Sequence, residues 1–379
     1  MPPQRAAPLV FVVDPAGGAE AAPAMSYRAA AVAGQRLLAA ELSARLGRLG
    51  AAVLPLRAVD GPRPPPFHWG RWFAAQARHA LEAADAGVDA IGYAGAGSLA
   101  LLGDAALDAL LSPVRGEAVA NNRFSADAWV AAGDTDRVLA ALEACDSDNA
   151  APRALETLGF HVRDLGGEPF SRFDVDTPLD LALLRLATRL PTTRRLDGRV
   201  SGYLEMARLP GDRPLEVPHL ARLGDVIRDR TAELVVAGRV PSATLGHLET
   251  ETACRVRAFV EERGMRSART ARPRSFLARW LERLGPADLV GELSRLGDAV
   301  VLDSRVVMAA LAGTSDGAAW PPPEERFASD FGDATPIATV WLRELTAAAA
   351  GASAPILLGG HALVSDGLRV IVEAAWLGR

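Results

Sequence analysis

The chain of 379 residues contains no lysine, so all 41 of its basic residues are arginine. This excludes a P-loop lysine, a Schiff-base lysine and a lysine general base. Any bound phosphate must be held by arginine, backbone amides or a metal. Cysteine is almost as scarce. Cys145 and Cys254 lie in Ala-rich surroundings with no Cys or His at zinc spacing, so neither a disulfide framework nor a zinc site is expected, and both read as small core residues. No run reaches the ~18 consecutive apolar residues that a membrane span needs. The apolar run Pro8 to Val13 is too short for a signal-peptide core and reads as a first strand, which makes a cytoplasmic protein the expectation. A net charge of -5 and a pI of 5.8 argue against general nucleic-acid binding.

Hydrophobic residues, at 49%, are plentiful enough for a sizeable core. The length suggests two domains, residues 1–191 and 192–379. Along the first, apolar strand candidates (Leu9 to Asp14, Ala52 to Leu56, Val88 to Tyr93) alternate with helix candidates (Arg28 to Leu49, Arg71 to Ala86, Asp104 to Leu111). Alternation of this kind predicts βαβ units and a mainly parallel sheet. Glu117 to Asn121 reads as a strand, followed by Asn122-Arg123-Phe124-Ser125-Ala126-Asp127 and the apolar run Ala128 to Ala132. The polar insertion is either a turn rich in Asn and Ser or a pocket wall offering amides and a carboxylate. Gly95-Ala96-Gly97-Ser98, closing the third strand, is either a tight turn or a phosphate cradle.

The segment Phe173-Asp174-Val175-Asp176-Thr177-Pro178-Leu179-Asp180-Leu181 carries the most information. Thr177 can cap a helix, Pro178 fits its first position, and Asp180 sits three residues after the cap. In an extended segment Asp174 and Asp176 face the same way. They either hold a divalent cation or, more simply, Asp176 favours the positive helix end and Asp174 is solvated.

Set after the βαβ series, Asp174 to Leu181 resembles the closing signature Asp-X-Asp-Thr-Pro-X-Asp-Leu of nucleotidyltransferases with a glycosyltransferase-A-like fold, such as the molybdenum-cofactor and 2-phospho-lactate guanylyltransferases. The resemblance covers about residues 8–190 and implies a three-layer N-terminal domain of that fold. It also implies Mg²⁺-dependent condensation of a nucleoside triphosphate with a small, often phosphorylated, acceptor. On that basis Asp174 and Asp176 are the expected metal ligands, assisted by Asp127 or Asp14. Gly17, Gly18, Gly95, Gly97 and Ser98 would line the triphosphate, and Asn121 and Asn122 would contact base or ribose. The family's first loop is only partly kept: Ala16-Gly17-Gly18 continues into Ala19-Glu20, without the usual third glycine, arginine and lysine.

No resemblance marks residues 192–379, which read as a helix-rich α/β domain. There Thr192 to Arg199 reads as a linker, Tyr203 to Val217 as irregular, Thr250 to Arg263 as a helix and Trp320 to Asp333 as loop-rich. A basic run from Arg263 to Arg274 has few aromatics for base stacking. Three apolar runs end in Gly238-Arg239, Asp303-Ser304-Arg305 and Gly359-Gly360-His361. If these are neighbouring parallel strands, Arg239, Asp303, Arg305 and His361 would converge on an anion; otherwise they only mark where loops begin. Three functions therefore stand: a nucleotidyltransferase, an inactive nucleotide- or sugar-phosphate-binding or scaffold protein, and an enzyme whose chemistry sits in the second half. The expected partner is a nucleotide or another phosphorylated small molecule, with no nucleic acid and no membrane; homo-oligomerisation is open.

Overall fold

A computed structural model describes residues 7–15, 26–57, 67–83, 88–262 and 272–377. Gly17, Gly18 and the arginines of the basic run before Arg272 lie outside the described residues. The chain divides into two compact units: residues 1–23, 32–176 and 194–202 form the first, and 24–31, 177–193 and 203–379 the second.

Unit 1 is built on a six-stranded sheet. In chain order it uses β1 (Leu9–Asp14), α1 (Tyr27–Arg48), β2 (Ala52–Arg57), α2 (Trp69–Ala83), β3 (Ala90–Ala94), α3 (Asp104–Leu110), β4 (Glu117–Ala120), β5 (Ala128–Ala132), α4 (Thr135–Leu142), α5 (Ala151–Thr157) and β6 (His161–Asp164). The strand order is β2-β1-β3-β5-β4-β6. β5 runs antiparallel to both of its neighbours, and the other pairings are parallel. The sheet is therefore mixed. Strand alternation sorts the side chains onto two faces. Leu9, Phe11, Ile91, Tyr93 and Trp129 pack with α2, α4 and α5. Val10, Val12, Ala90, Ala94 and Val130 pack with α1 and α3. A sheet buried on both faces needs near-continuous apolar strands, which is why these runs read as hydrophobic throughout.

Unit 2 takes the first residues of α1 and continues with α6 (Pro178–Ala187). Thr177 and Asp180 form a reciprocal capping box and Pro178 opens the helix. Next come α7 (Gly198–Met206), whose first five residues belong to unit 1, the two-residue strands β7 (Arg208–Leu209) and β8 (Arg213–Pro214), α8 (Leu220–Arg228), β9 (Glu233–Gly238), α9 (Ser242–Glu251) and β10 (Arg255–Val260). α10 (Phe276–Leu284), α11 (Pro286–Leu296), β11 (Ala299–Asp303), α12 (Ser304–Ala312), α13 (Pro323–Asp330), α14 (Val340–Gly351), β12 (Ile356–Gly359) and α15 (Leu368–Ala375) complete the chain, with a kink at Ser365 just before α15. β10-β9-β11-β12 form an all-parallel sheet. One face packs with α10, α11, α12 and α14. On the other, α15 packs with α6, α8 and α9.

Three sequence expectations fail here. Residues 255–260 form a strand, not a helix, and α9 ends before them. Val256, Phe259 and Val260 fit a helical stripe, but a short apolar run is ambiguous and pairing along β9 decides it. Arg255 and Arg257 then both reach Glu233 on β9. α7 replaces the end of the expected linker because Asp197 accepts hydrogen bonds from the amides of Arg199 and Val200 (2.8 and 2.9 Å). α13 lies in the segment expected to be loop-rich: Pro323 opens the helix rather than breaking it, and Glu324 and Glu325 sit at its positive end.

Candidate functional site

In unit 1 the carboxyl ends of β1, β3 and β4 and the start of β5 lie along one edge of the sheet. The loop after β3 closes over this edge. A Cβ on Gly97 would lie 2.2 Å from the Val175 carbonyl oxygen. Glycine is therefore required by close backbone approach to the 174–176 segment. The Val175 amide donates to the Gly97 carbonyl (3.2 Å), and the Gln35 side chain of α1 donates to the Val175 carbonyl (2.7 Å). Val175 is fully buried, Asp174 half-buried and Asp176 exposed. The Asp174 carboxylate accepts from the Val175 amide (3.0 Å), so it lies against its own backbone. The two motifs that stand nearly eighty positions apart in the sequence are thus backbone neighbours.

The rest of the edge is tied together by side chains. Ser98 is buried and donates its hydroxyl proton to the Gly95 carbonyl (2.8 Å), so it closes the loop. Leu99, also buried, takes a left-handed backbone (φ 62°), a strain that surrounding contacts must hold. The Gly95 amide donates to the Asp127 carbonyl (2.8 Å). Asn121 accepts from the amides of Asp127 and Ala128 (3.0 Å each) and donates to the Ser171 carbonyl (3.0 Å) and the Asp127 carboxylate (3.5 Å). Those four bonds use its side-chain hydrogen-bonding positions, so Asn121 fastens the edge. Asn122 turns the chain, its side-chain oxygen accepting from the Phe124 amide (3.3 Å). Asp14 is half-buried at the end of β1. Exposed Arg36 donates to the carbonyl of Pro15 just beyond it (3.1 Å).

Sequence reasoning passed over Gln35 and Arg36 because they lie inside a helix with no motif of its own. It also passed over the aromatic layer beneath the edge. There Trp69 stacks on Phe73 at 5.2 Å, and Tyr93 meets both edge-on. Tyr93 donates to Asp148 (3.0 Å), and burial followed by that carboxylate raises its pKa well above the usual phenol value.

In unit 2 the three strand ends are neighbours, in the order β9, β11, β12. Arg239 grips the fully buried Asp303 with two guanidinium bonds (2.6 and 3.0 Å). Asp303 also accepts from the Arg305 amide and so caps α12. Burial pushes the Asp303 carboxyl up, but Arg239 and then His361 hold it below its usual value. Arg305 makes a bidentate pair with Asp330 (2.7 and 2.6 Å). Burial opposes the guanidinium charge, and the Asp330, Asp303 and Asp180 carboxylates outweigh it, raising the pKa of Arg305. Gly238 (φ 130°) lets β9 pass Asp303, whose Cβ would lie 2.3 Å from an added Cβ. His361 is exposed at the end of β12. Asp330 escaped sequence reading because it lies in the stretch expected to be loop-rich.

No family model, curated protein or solved structure matches the chain.

Proposed function

We propose that unit 1 is a nucleotidyltransferase-like domain that binds a nucleoside triphosphate and transfers its nucleotidyl group to a small phosphorylated acceptor. The observation that carries the reading is the close approach of the Gly95 to Ser98 loop to Asp174–Asp176 along the carboxyl edge. It is supported by the mainly parallel sheet, order β2-β1-β3-β5-β4-β6, which agrees with what the resemblance implies. Ligands of open α/β sheets bind beyond the carboxyl ends of strands.

Two carboxylates flanking the buried Val175 suit Mg²⁺, which is bound by one or two protein carboxylates with water and substrate phosphates completing its shell. Asp174 and Asp176 would hold it, and it would supply charge to offset that building on the departing pyrophosphate. Gly97 and Gln35 position these carboxylates by fixing the Val175 backbone between them. Arg36 takes the place that lysine cannot fill, as a fixed cation at the end of β1. In the transfer an acceptor oxygen attacks the α-phosphorus while the α–β bridging bond breaks and pyrophosphate leaves.

Thermal melting with GTP or CTP tests the reading. Each active nucleotide raises the midpoint only with Mg²⁺, and Asp176→Ala abolishes that rise, measured against the variant's own unliganded midpoint. No nucleotide response with Mg²⁺ overturns it. A second reading, a binding or scaffold domain without turnover, is favoured by the inward-turned bonds of Ser98 and Asn121. Nucleotide stabilisation without pyrophosphate release selects it.

A further inference from the structure

The all-parallel sheet of unit 2 has a topological switch point. From β9 the chain moves to one side to make β10, then to the other for β11 and β12. The order reverses between the carboxyl ends of β9 and β11, and open α/β sheets take ligands in the crevice beyond such a point. Arg239 and Asp303 stand at that point.

The chemistry of the crevice favours an anion over a cation. Both Asp303 oxygens accept hydrogen bonds, from Arg239 and from the amides of Arg239 and Arg305. Both Asp330 oxygens accept from Arg305. A metal ion would have to displace guanidinium groups from buried carboxylates. Donors are in better supply: the Asp303 pair engages two of the five side-chain N–H groups of Arg239. The buried acid holds the guanidinium plane in one orientation, as ligand-binding arginines need.

Gly360 is a separate pointer. An added Cβ at Gly359 would collide with Leu363 and Leu179 at 2.6 and 2.9 Å, so packing demands that glycine. An added Cβ at Gly360 would meet only the Arg305 side chain, at 3.7 and 3.9 Å, an ordinary contact. Packing does not require glycine there, and a bare backbone at that point leaves room for a ligand to approach it. His361 follows at once, exposed and near enough to Asp303 to act on its charge.

We infer that the crevice at the ends of β9, β11 and β12 binds the phosphate group of a small phosphorylated molecule, with Arg239 as the fork, the Gly360 backbone as the floor and His361 at the rim. Asp303 is a positioning residue for Arg239, while Arg305 is committed to its buried pair with Asp330. The site is independent of the nucleotide site proposed for unit 1.

Calorimetric titration of the full chain with inorganic phosphate, in metal-free buffer at near-physiological salt, tests this. Saturable binding is expected, weakened about tenfold or more by His361→Gln and by Gly360→Ala, because each removes or blocks a charge-assisted contact. Gly360→Ala keeps the wild-type melting midpoint, His361→Gln is titrated below its own midpoint, and Asp176→Ala binds as the wild type does. Arg239→Lys, which keeps the charge and loses the fork, weakens binding as well. If that variant unfolds because Asp303 is left poorly paired, the other two decide. Absence of saturable binding, or binding that both His361→Gln and Gly360→Ala leave intact, overturns the proposal. Loss of binding in Asp176→Ala alone also overturns it, placing the anion in unit 1.

Discussion

Gly97 shows how one residue couples two parts of a site. An added methyl there must push against the backbone of Val175, which cannot give way as a flexible side chain would. Gly97→Ala is therefore expected to lower stability by about 1–3 kcal/mol, read from urea midpoints. Gly95→Ala, whose Cβ would meet nothing nearer than 3.5 Å, is expected to stay within about 0.5 kcal/mol of wild type. Equal midpoints for the two variants would contradict the close approach. The sequence showed two glycines before a serine and could not tell which was needed. The deciding atom belongs to a residue far along the chain. Asn121 repeats the lesson: it could have faced a base or closed a turn, and its bond to Ser171, fifty positions away, commits it to holding the edge.

At the scale of the element, legibility follows the range of the forces. The start of α6 could be read from sequence because a capping box joins residues three apart. Thr177→Ala is expected to cost about 1 kcal/mol and Thr177→Ser much less, measured as a shift in the denaturant midpoint. A Thr177→Ala protein as stable as the wild type would show that the helix start is held by packing alone. β10 could not be read the same way. Its apolar residues fit a helix or a strand, and only pairing along β9 and the reach of Arg255 and Arg257 to Glu233 settle the matter. α13 was hidden by prolines that act as helix starters, and with it Asp330, the partner that turns Arg305 from an anion-binding candidate into half of a buried ion pair.

Taken whole, the absence of lysine leaves few groups able to ionise between pH 9 and 12, chiefly the three tyrosines and two cysteines. All three phenols are raised. Tyr203 is pushed up to about 12 by burial. Tyr27 rises further through burial and then the charge and hydrogen bond of Asp333, and Tyr93 through burial and then Asp148. A phenol raised on folding contributes stability that is complete below its unfolded value near pH ~10 and is lost as pH rises through the folded value. The native protein should therefore show little tyrosinate absorbance at pH ~10, where half of the phenols ionise in urea. The arginine ion pairs keep their charge throughout that range. Alkaline unfolding should be cooperative and coincide with tyrosinate appearance; gradual titration of a folded protein near pH ~10 would contradict the burial. The sequence by itself determined the α/β character, the buried strands of the first sheet, the cap of α6 and the exclusion of lysine chemistry, because composition, periodicity and capping act over a few neighbouring residues. Only the tertiary structure decided the reversed β5, the strand at 255–260, the contact of Gly97 with Val175 and the gathering of Arg239, Asp303 and His361 at neighbouring strand ends. Each of these depends on backbone pairing or close approach between residues distant in the chain, and one residue's type does not say which distant partner it will meet.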